Sequence, residues 1–213
     1  MRHLEALLIC DGTSDAALEH PLRWLLSRSG YSGTLAIQTA DFSRGSVPVR
    51  KLEDKLVAGY LTYRPDVIFI HRDAEKETHT ARLEEIETAV SKAKCYAEAR
   101  TIPVIPVRML ESWLLFDKDA IRRAAGNPNG TEVLAIPSPK RLESMAEPKE
   151  LLCQLLTIAS GLKGRRLSKF RPLTKRHLVA EEIEDFSPLE RTESFQHLAK
   201  MVRGFLESLE GNQ

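Results

Sequence analysis

Val67-Ile68-Phe69-Ile70-His71-Arg72-Asp73-Ala74-Glu75 is the stretch on which the reading of the fold turns. Four apolar residues, mostly β-branched or aromatic, run straight into charge, as in a strand buried on both faces where it leaves a parallel sheet. In open α/β sheets that edge is where ligands bind. Asp73 and Glu75 are two apart, so a chain that stays extended points both carboxylates the same way. Two carboxylates on one side suit a hard divalent cation, Mg2+ or Mn2+. They equally suit a helix start, where acids offset exposed N–H groups and the helix dipole. A helical pattern begins soon after Glu75, so both readings stand.

Working outward, the run LEALLIC at residues 4–10 ends in Asp11, Gly12, Thr13, Ser14 and Asp15, a strand-turn-helix signal in which Gly12 lets the backbone turn. The helix that follows carries Ala16, Ala17, Leu18, Leu22, Trp24, Leu25 and Leu26 and stops at Ser29 and Gly30, with Pro21 near its first turn. Residues 34–39 (TLAIQT) predict a second strand. A polar loop with Gly45 and Pro48 leads to Val49, Leu52, Leu56, Val57 and Leu61 at helical spacing. After the central strand, residues 80–99 predict a long helix built on Leu83, Ile86, Val90, Ala93 and Ala97. Residues 102–107 (IPVIPV) predict a fourth strand, which Pro103 and Pro106 assign to a sheet edge or an irregular path. The expected fold class is α/β: a parallel four-stranded sheet with helices on both faces, followed by a helical C-terminal extension.

The pattern changes after Val107. Residues 108–116 (RMLESWLLF) predict an apolar helix interrupted by Glu111, and residues 117–125 a short helix ended by Gly126. A loop rich in Pro, Asn and Gly follows. Helices are expected at 148–160, 174–183 and 188–209, which divides the chain into an α/β domain at 1–125 and a helical region at 126–213 packed on it. The stripe Phe195, Leu198, Met201, Val202, Phe205 and Leu206 either closes the core or forms a dimer face.

With 213 residues, 42% hydrophobic and 29% charged, the chain suits one sizeable core. A net charge of +1 gives no global pull toward nucleic acid or membrane, so any such pull must be local. Cys10, Cys95 and Cys153 are scattered without metal-ligand spacing and are expected to be reduced thiols. The early strand is too short for a signal peptide, and no stretch is long enough to cross a bilayer, so a cytoplasmic location is expected.

The acids now converge. Asp11, with Asp15 just beyond, follows the first strand, and Asp73 and Glu75 follow the third. Neighbouring parallel strands would bring these ends together around a divalent cation, which polarises phosphoryl oxygens and lowers the pKa of bound water. A strand followed by acid-glycine and a later strand followed by acid-x-acid resembles the TOPRIM domain of topoisomerases, bacterial primases and nucleases of the overcoming-lysogenization-defect type. There the first acid is usually Glu and the pair usually Asp-x-Asp; here they are Asp11 and Asp73 with Glu75. The run from Ile105 to Leu115 and the corner Glu147-Pro148-Lys149 look like a small bacterial TOPRIM-like family of unassigned function. The resemblance implies Asp11, Asp73 and Glu75 as metal ligands and nuclease activity, in a bacterial anti-phage defence or toxin setting.

Glu111 sits amid Met109, Leu110, Trp113 and Leu114, where a carboxylate is costly to bury unless paired. It either lies on an exposed stripe or pairs with Arg108, or else reaches the same sheet edge as a further ligand or general base. Residues 163–177 (KGRRLSKFRPLTKRH) carry Lys163, Arg165, Arg166, Lys169, Arg171, Lys175 and Arg176 and no acid. This is a solvated basic loop or a phosphate-backbone contact, with Phe170 as a stacking surface. Lys149, at a helix start, is a surface lysine or orients a phosphate. There is no P-loop and no GxGxxG. The expectation is a metal-dependent nuclease in which Asp11, Glu111 and Lys149 are catalytic. The alternative is a non-catalytic module binding nucleic acid or a partner ATPase.

Overall fold

The computed structural model describes residues 3–42, 50–93 and 99–211. Gly45, Pro48, Val49, Cys95 and Ala97, named above, lie outside those residues. Four strands, β1 (His3–Ile9), β2 (Thr34–Thr39), β3 (Val67–His71) and β4 (Arg100–Val104), form one parallel sheet in the order β2-β1-β3-β4. Leu8 lies opposite both Thr39 and Phe69, and Phe69 opposite Ile102. The chain leaves β1 toward β2 on one side and returns to β3 on the other. The gap between the ends of β1 and β3 is therefore the topological switch point, where open α/β sheets bind ligands. β4 is the edge strand, which is why Pro103 is tolerated there.

Both faces of the sheet are covered, each by the alternate residues of its strands. Leu4, Ala6, Leu8, Val67 and Phe69 face α1 (Glu19–Arg28) and the C-terminal helices; Leu7, Ile9, Ile68 and Ile70 face α2 (Leu52–Tyr63) and α3 (His79–Ala93). Gly59 lets α2 lie tightly on β1, since a Cβ there would stand 2.8 Å from a Leu7 methyl. The first face continues without a break from Leu22 through Trp113, Leu152, Val179 and Phe195 to Val202, so residues 1–125 and 126–213 share one core.

The C-terminal half adds α4 (Lys118–Ala124), α5 (Pro148–Ala159), α6 (Gly164–Lys169), α7 (Arg176–Glu182) and α8 (Glu193–Glu210). Asp117 caps α4 by accepting the N–H groups of Asp119 and Ala120, each at 2.9 Å. On α8, Phe195, Leu198, Val202, Phe205 and Leu206 are buried while Met201 is exposed, so the stripe closes the core. The apolar helix expected at 108–116 is instead a 3-10 turn, Leu110–Leu114, entered through Arg108 at φ 67°. That sharp entry turns the chain across the sheet edge and buries Glu111. Among the described residues no helix is long and apolar enough to cross a membrane.

Candidate functional site

Strand parity sorts the charged residues at the β1 and β3 exits onto opposite faces of the sheet. Continuing the alternation of β3, Arg72 follows Ile68 and Ile70 toward α2 and α3, whereas His71 and Asp73 follow Val67 and Phe69 to the other face. On β1, Asp11 follows Leu7 and Ile9. The expected set of Asp11, Asp73 and Glu75 is thereby divided: the strands are neighbours, but these three carboxylates do not converge.

On the α2–α3 side, Asp11 accepts from Lys55 Nζ at 2.9 Å and pairs with Arg72. Arg72 also reaches Glu85 at 3.2 Å; Arg82 binds Glu85 at 2.7 Å and approaches Glu75 at 3.9 Å. Burial works to raise the pKa of Asp11, but the Lys55 hydrogen bond and the Arg72 charge outweigh it and hold the carboxyl below its usual range. Glu75 departs from the extended path at φ 53°, and its N–H donates to the Arg108 carbonyl at 2.8 Å. Its side chain is 62% exposed, with Arg82 as its neighbour. The one further extended step that would have aligned the pair is not taken, because the turn at Ala74–Glu77 begins there.

On the other side a second cluster forms from Asp15, His71, Asp73, Glu111 and Arg176. Asp73 Oδ1 accepts the Leu110 N–H at 2.9 Å and stands 3.5 Å from His71 Nε2, which is 3.9 Å from Asp15 Oδ2. Gly12 fixes Asp15, its N–H donating to Asp15 Oδ2 at 3.2 Å. His71 Nδ1 lies 3.2 Å from the Val104 carbonyl, which can only accept, so that nitrogen carries the proton and Nε2 faces the acids. Glu111 is 2% exposed and accepts from Arg176 Nη1 at 2.5 Å; Arg176 Nη2 is 3.6 Å from Asp15 Oδ1. Glu111 is therefore on no exposed stripe, and its partner is Arg176 rather than Arg108. Burial, with Glu111 and Asp15 close by, pushes Asp73 up to about 6, against the pull of His71 and the Leu110 N–H.

Among the described residues, no three of His, Cys, Asp and Glu are gathered closely enough to hold an ion as they stand. A hard divalent cation at this edge would have to draw its oxygen ligands from Asp15, Asp73 and Glu111. Three carboxylates share a largely buried space with one guanidinium and one imidazole, and burial, more than the neighbouring negative charges, is what raises Asp73.

The basic stretch leads into this cluster. Lys163, Arg165, Arg166, Lys169 and Arg171 are exposed on α6 and the following turn, and no carboxylate among the described residues pairs with them. Lys175 is half-buried, and Arg176 turns inward onto the acids. Phe170 is part-buried against the core, so it offers little face for stacking. Lys149 is exposed at the second position of α5 and, with Glu111 and Arg176, lies close enough to act on the Cys153 thiol. Burial raises the pKa of Cys153, and that of Cys10 to about 12, so both thiols stay protonated.

His71 is the site residue that motif reasoning passed over, and Asp15 was named beside Asp11 without being assigned as a ligand. The signal for Asp15 was its spacing from Gly12, whose turn aims it back over the strand end. Neither a protein-family model, nor a characterised protein, nor a solved structure matches this chain.

Proposed function

We propose that this chain is a metal-dependent phosphodiesterase acting on nucleic acid, a TOPRIM-like nuclease whose ligand set is shifted from the motif residues to Asp15, Asp73 and Glu111. The observation that carries the reading is the grouping of Asp15, Asp73 and Glu111 around His71 and Arg176 at the β1/β3 switch point. A bound Mg2+ or Mn2+ would supply Lewis-acid polarisation of a phosphoryl oxygen and a water of lowered pKa. Asp15, Asp73 and Glu111 would hold it, with His71 Nε2 orienting the acids. The exposed cations of α6 and its turn would grip the phosphate backbone beside the cluster, a contact that reads charge and not sequence. Lys149, exposed near the start of α5, would meet a phosphate from that side.

One observation favours a second reading, that of a non-catalytic module binding nucleic acid or a partner ATPase. Glu111 is already neutralised by an arginine of its own chain, which a purely structural ion pair would also require.

Cleavage of DNA and RNA in Mg2+ or Mn2+ separates the two. The wild type is expected to cleave. Asp73→Ala and Asp15→Ala should fall by about 100-fold or more, with the fold retained, as loss of a ligand to a catalytic metal requires. Glu75→Ala should stay within a few-fold. No cleavage by the wild type, or full activity in both Asp73→Ala and Asp15→Ala, overturns the nuclease reading.

A further inference from the structure

We propose that the imidazoles of His79 and His197 form an acid-sensitive clasp between α3 and α8, closed while at least one ring is neutral and opened when both are protonated. The rings stack with centroids 4.9 Å apart and planes 27° from parallel. His79, the first residue of α3, is half-buried, and His197 on α8 is exposed. Two imidazolium charges at that separation repel. The titratable groups that face His79 are His197 and Glu193 from α8 and Glu143 from the turn Pro139–Ser144. Glu193 Oε1, 3.8 Å from His197 Nε2, offsets one proton. Glu143 is already committed, because its carboxylate accepts the N–H groups of Glu193 at 2.9 Å and Ser194 at 2.8 Å, where α8 begins. Burial, then the His197 charge, outweigh the two acids and hold His79 below the ordinary histidine range. The folded protein therefore disfavours the second proton.

The two sides of the clasp are unequally held. The start of α8 is fixed by Glu143 and by the buried Phe195 and Leu198 on either side of His197 in the sequence. The helix α3 is fixed further along, by Ile86, Ala89 and Ala93, whereas its first turn, residues 79–82, buries no residue. That turn is held locally by Thr78, whose hydroxyl accepts the Ala81 N–H at 3.1 Å and whose carbonyl accepts the Arg82 N–H at 3.2 Å. The first turn of α3 is therefore the side that gives way. Arg82 Nε donates to the Asp73 carbonyl at 3.1 Å, so the clasped turn also steadies the chain where it leaves β3. The lowered His79 sets the sign: the stability that the clasp contributes is fully present above the ordinary histidine value of 6.5 and is lost as pH falls through the folded value.

The test is an NMR titration of the full chain from about pH 8 to about pH 5, following the ring Cε1–H signals of both histidines and amide exchange in α3. The ring signals are assigned by their loss in His79→Gln and His197→Gln. In the wild type His79 is expected to titrate below the ordinary histidine value and to move up toward it in His197→Gln. Protection of the Arg82 and Leu83 amides, corrected for intrinsic exchange, should fall by about tenfold or more across that range while Ile86 and Ala89 keep theirs. Asp73 titrates in the same range, so the control is the double variant His79→Phe with His197→Phe, which keeps Asp73 and a pair of rings but no ring charge. Its Arg82 and Leu83 amides should stay protected. A His79 signal that titrates alike in the wild type and His197→Gln overturns the clasp, as does equal loss of protection in the wild type and the double variant. Should the double variant not fold, the His79 titration in His197→Gln decides alone.

Discussion

The two faces of one sheet edge solve the same electrostatic problem in opposite ways. On the α2–α3 face, Asp11, Glu75 and Glu85 are met by Lys55, Arg72 and Arg82, so acids and bases balance and the carboxylates stay open to water. On the other face, Asp15, Asp73 and Glu111 share Arg176 and His71, and Glu111 is almost wholly buried. Asp11 is held below the usual carboxylate range while Asp73 is pushed up to about 6. Balanced pairs on an exposed surface tie elements together weakly. An unbalanced buried cluster costs stability.

The largest effect expected from that contrast is on Arg176. Arg176→Ala leaves Glu111 buried and unpaired and should cost about 3–5 kcal/mol in urea unfolding at pH 7. A loss under about 1 kcal/mol would mean that the second cluster is no more tightly built than the first.

Asp73 gives the next effect, with a sign opposite to that of an ordinary paired acid. Its folded pKa, about 6, lies above the usual 3.8, so the folded state holds the extra proton. Stability therefore falls as pH rises from about 4 to about 6, and above that window the ionised carboxylate is a net cost. Asp73→Asn keeps the acceptor for the Leu110 N–H and removes that cost. It should be more stable than wild type at pH 7 by on the order of 2 kcal/mol and equal to it near pH 3. Thermal unfolding across this range checks it, and parallel pH profiles for the two proteins would remove the asymmetry between the faces.

Asp11 should give the smallest effect and the ordinary sign. Its depressed pKa contributes stability above the usual carboxylate range that is lost as pH falls through the folded value. With its side chain 59% exposed, Asp11→Asn should cost less than about 1 kcal/mol at pH 7. A larger loss in the same unfolding experiment would make the α2–α3 network as consequential as the cluster it faces.

Much of the scaffold was legible from local pattern. The runs at 4–10, 34–39 and 67–70 carry the β-rich apolar signature, and the intervening helices repeat near 3.6 residues. The expectation that Pro103 marks an edge strand holds for β4, because an edge leaves backbone N–H groups unneeded, whereas the strand expected at 102–107 runs over Arg100–Val104 and leaves Pro106 beyond its end. The turn at 108–116 was less legible. Its apolar content suits a helix, and only the left-handed Arg108, held where its carbonyl receives the Glu75 N–H, shows why a 3-10 turn forms instead.

The sequence by itself determined the parallel α/β sheet, the placement of acids at two neighbouring strand exits and the single basic tract. Those features follow from periodicity and local charge. Which acids meet was decided by tertiary structure. From Ala6 to Ile9 and from Val67 to Ile70, β1 and β3 are buried on both faces, so these residues are apolar and carry no alternation to mark which side each will face. The side given to Asp11 or Asp73 is set by pairing and by which helices cover each face. Arg176 meets Glu111 from 65 residues away, through the packing of α7 against the sheet edge, a distance over which local pattern carries no information.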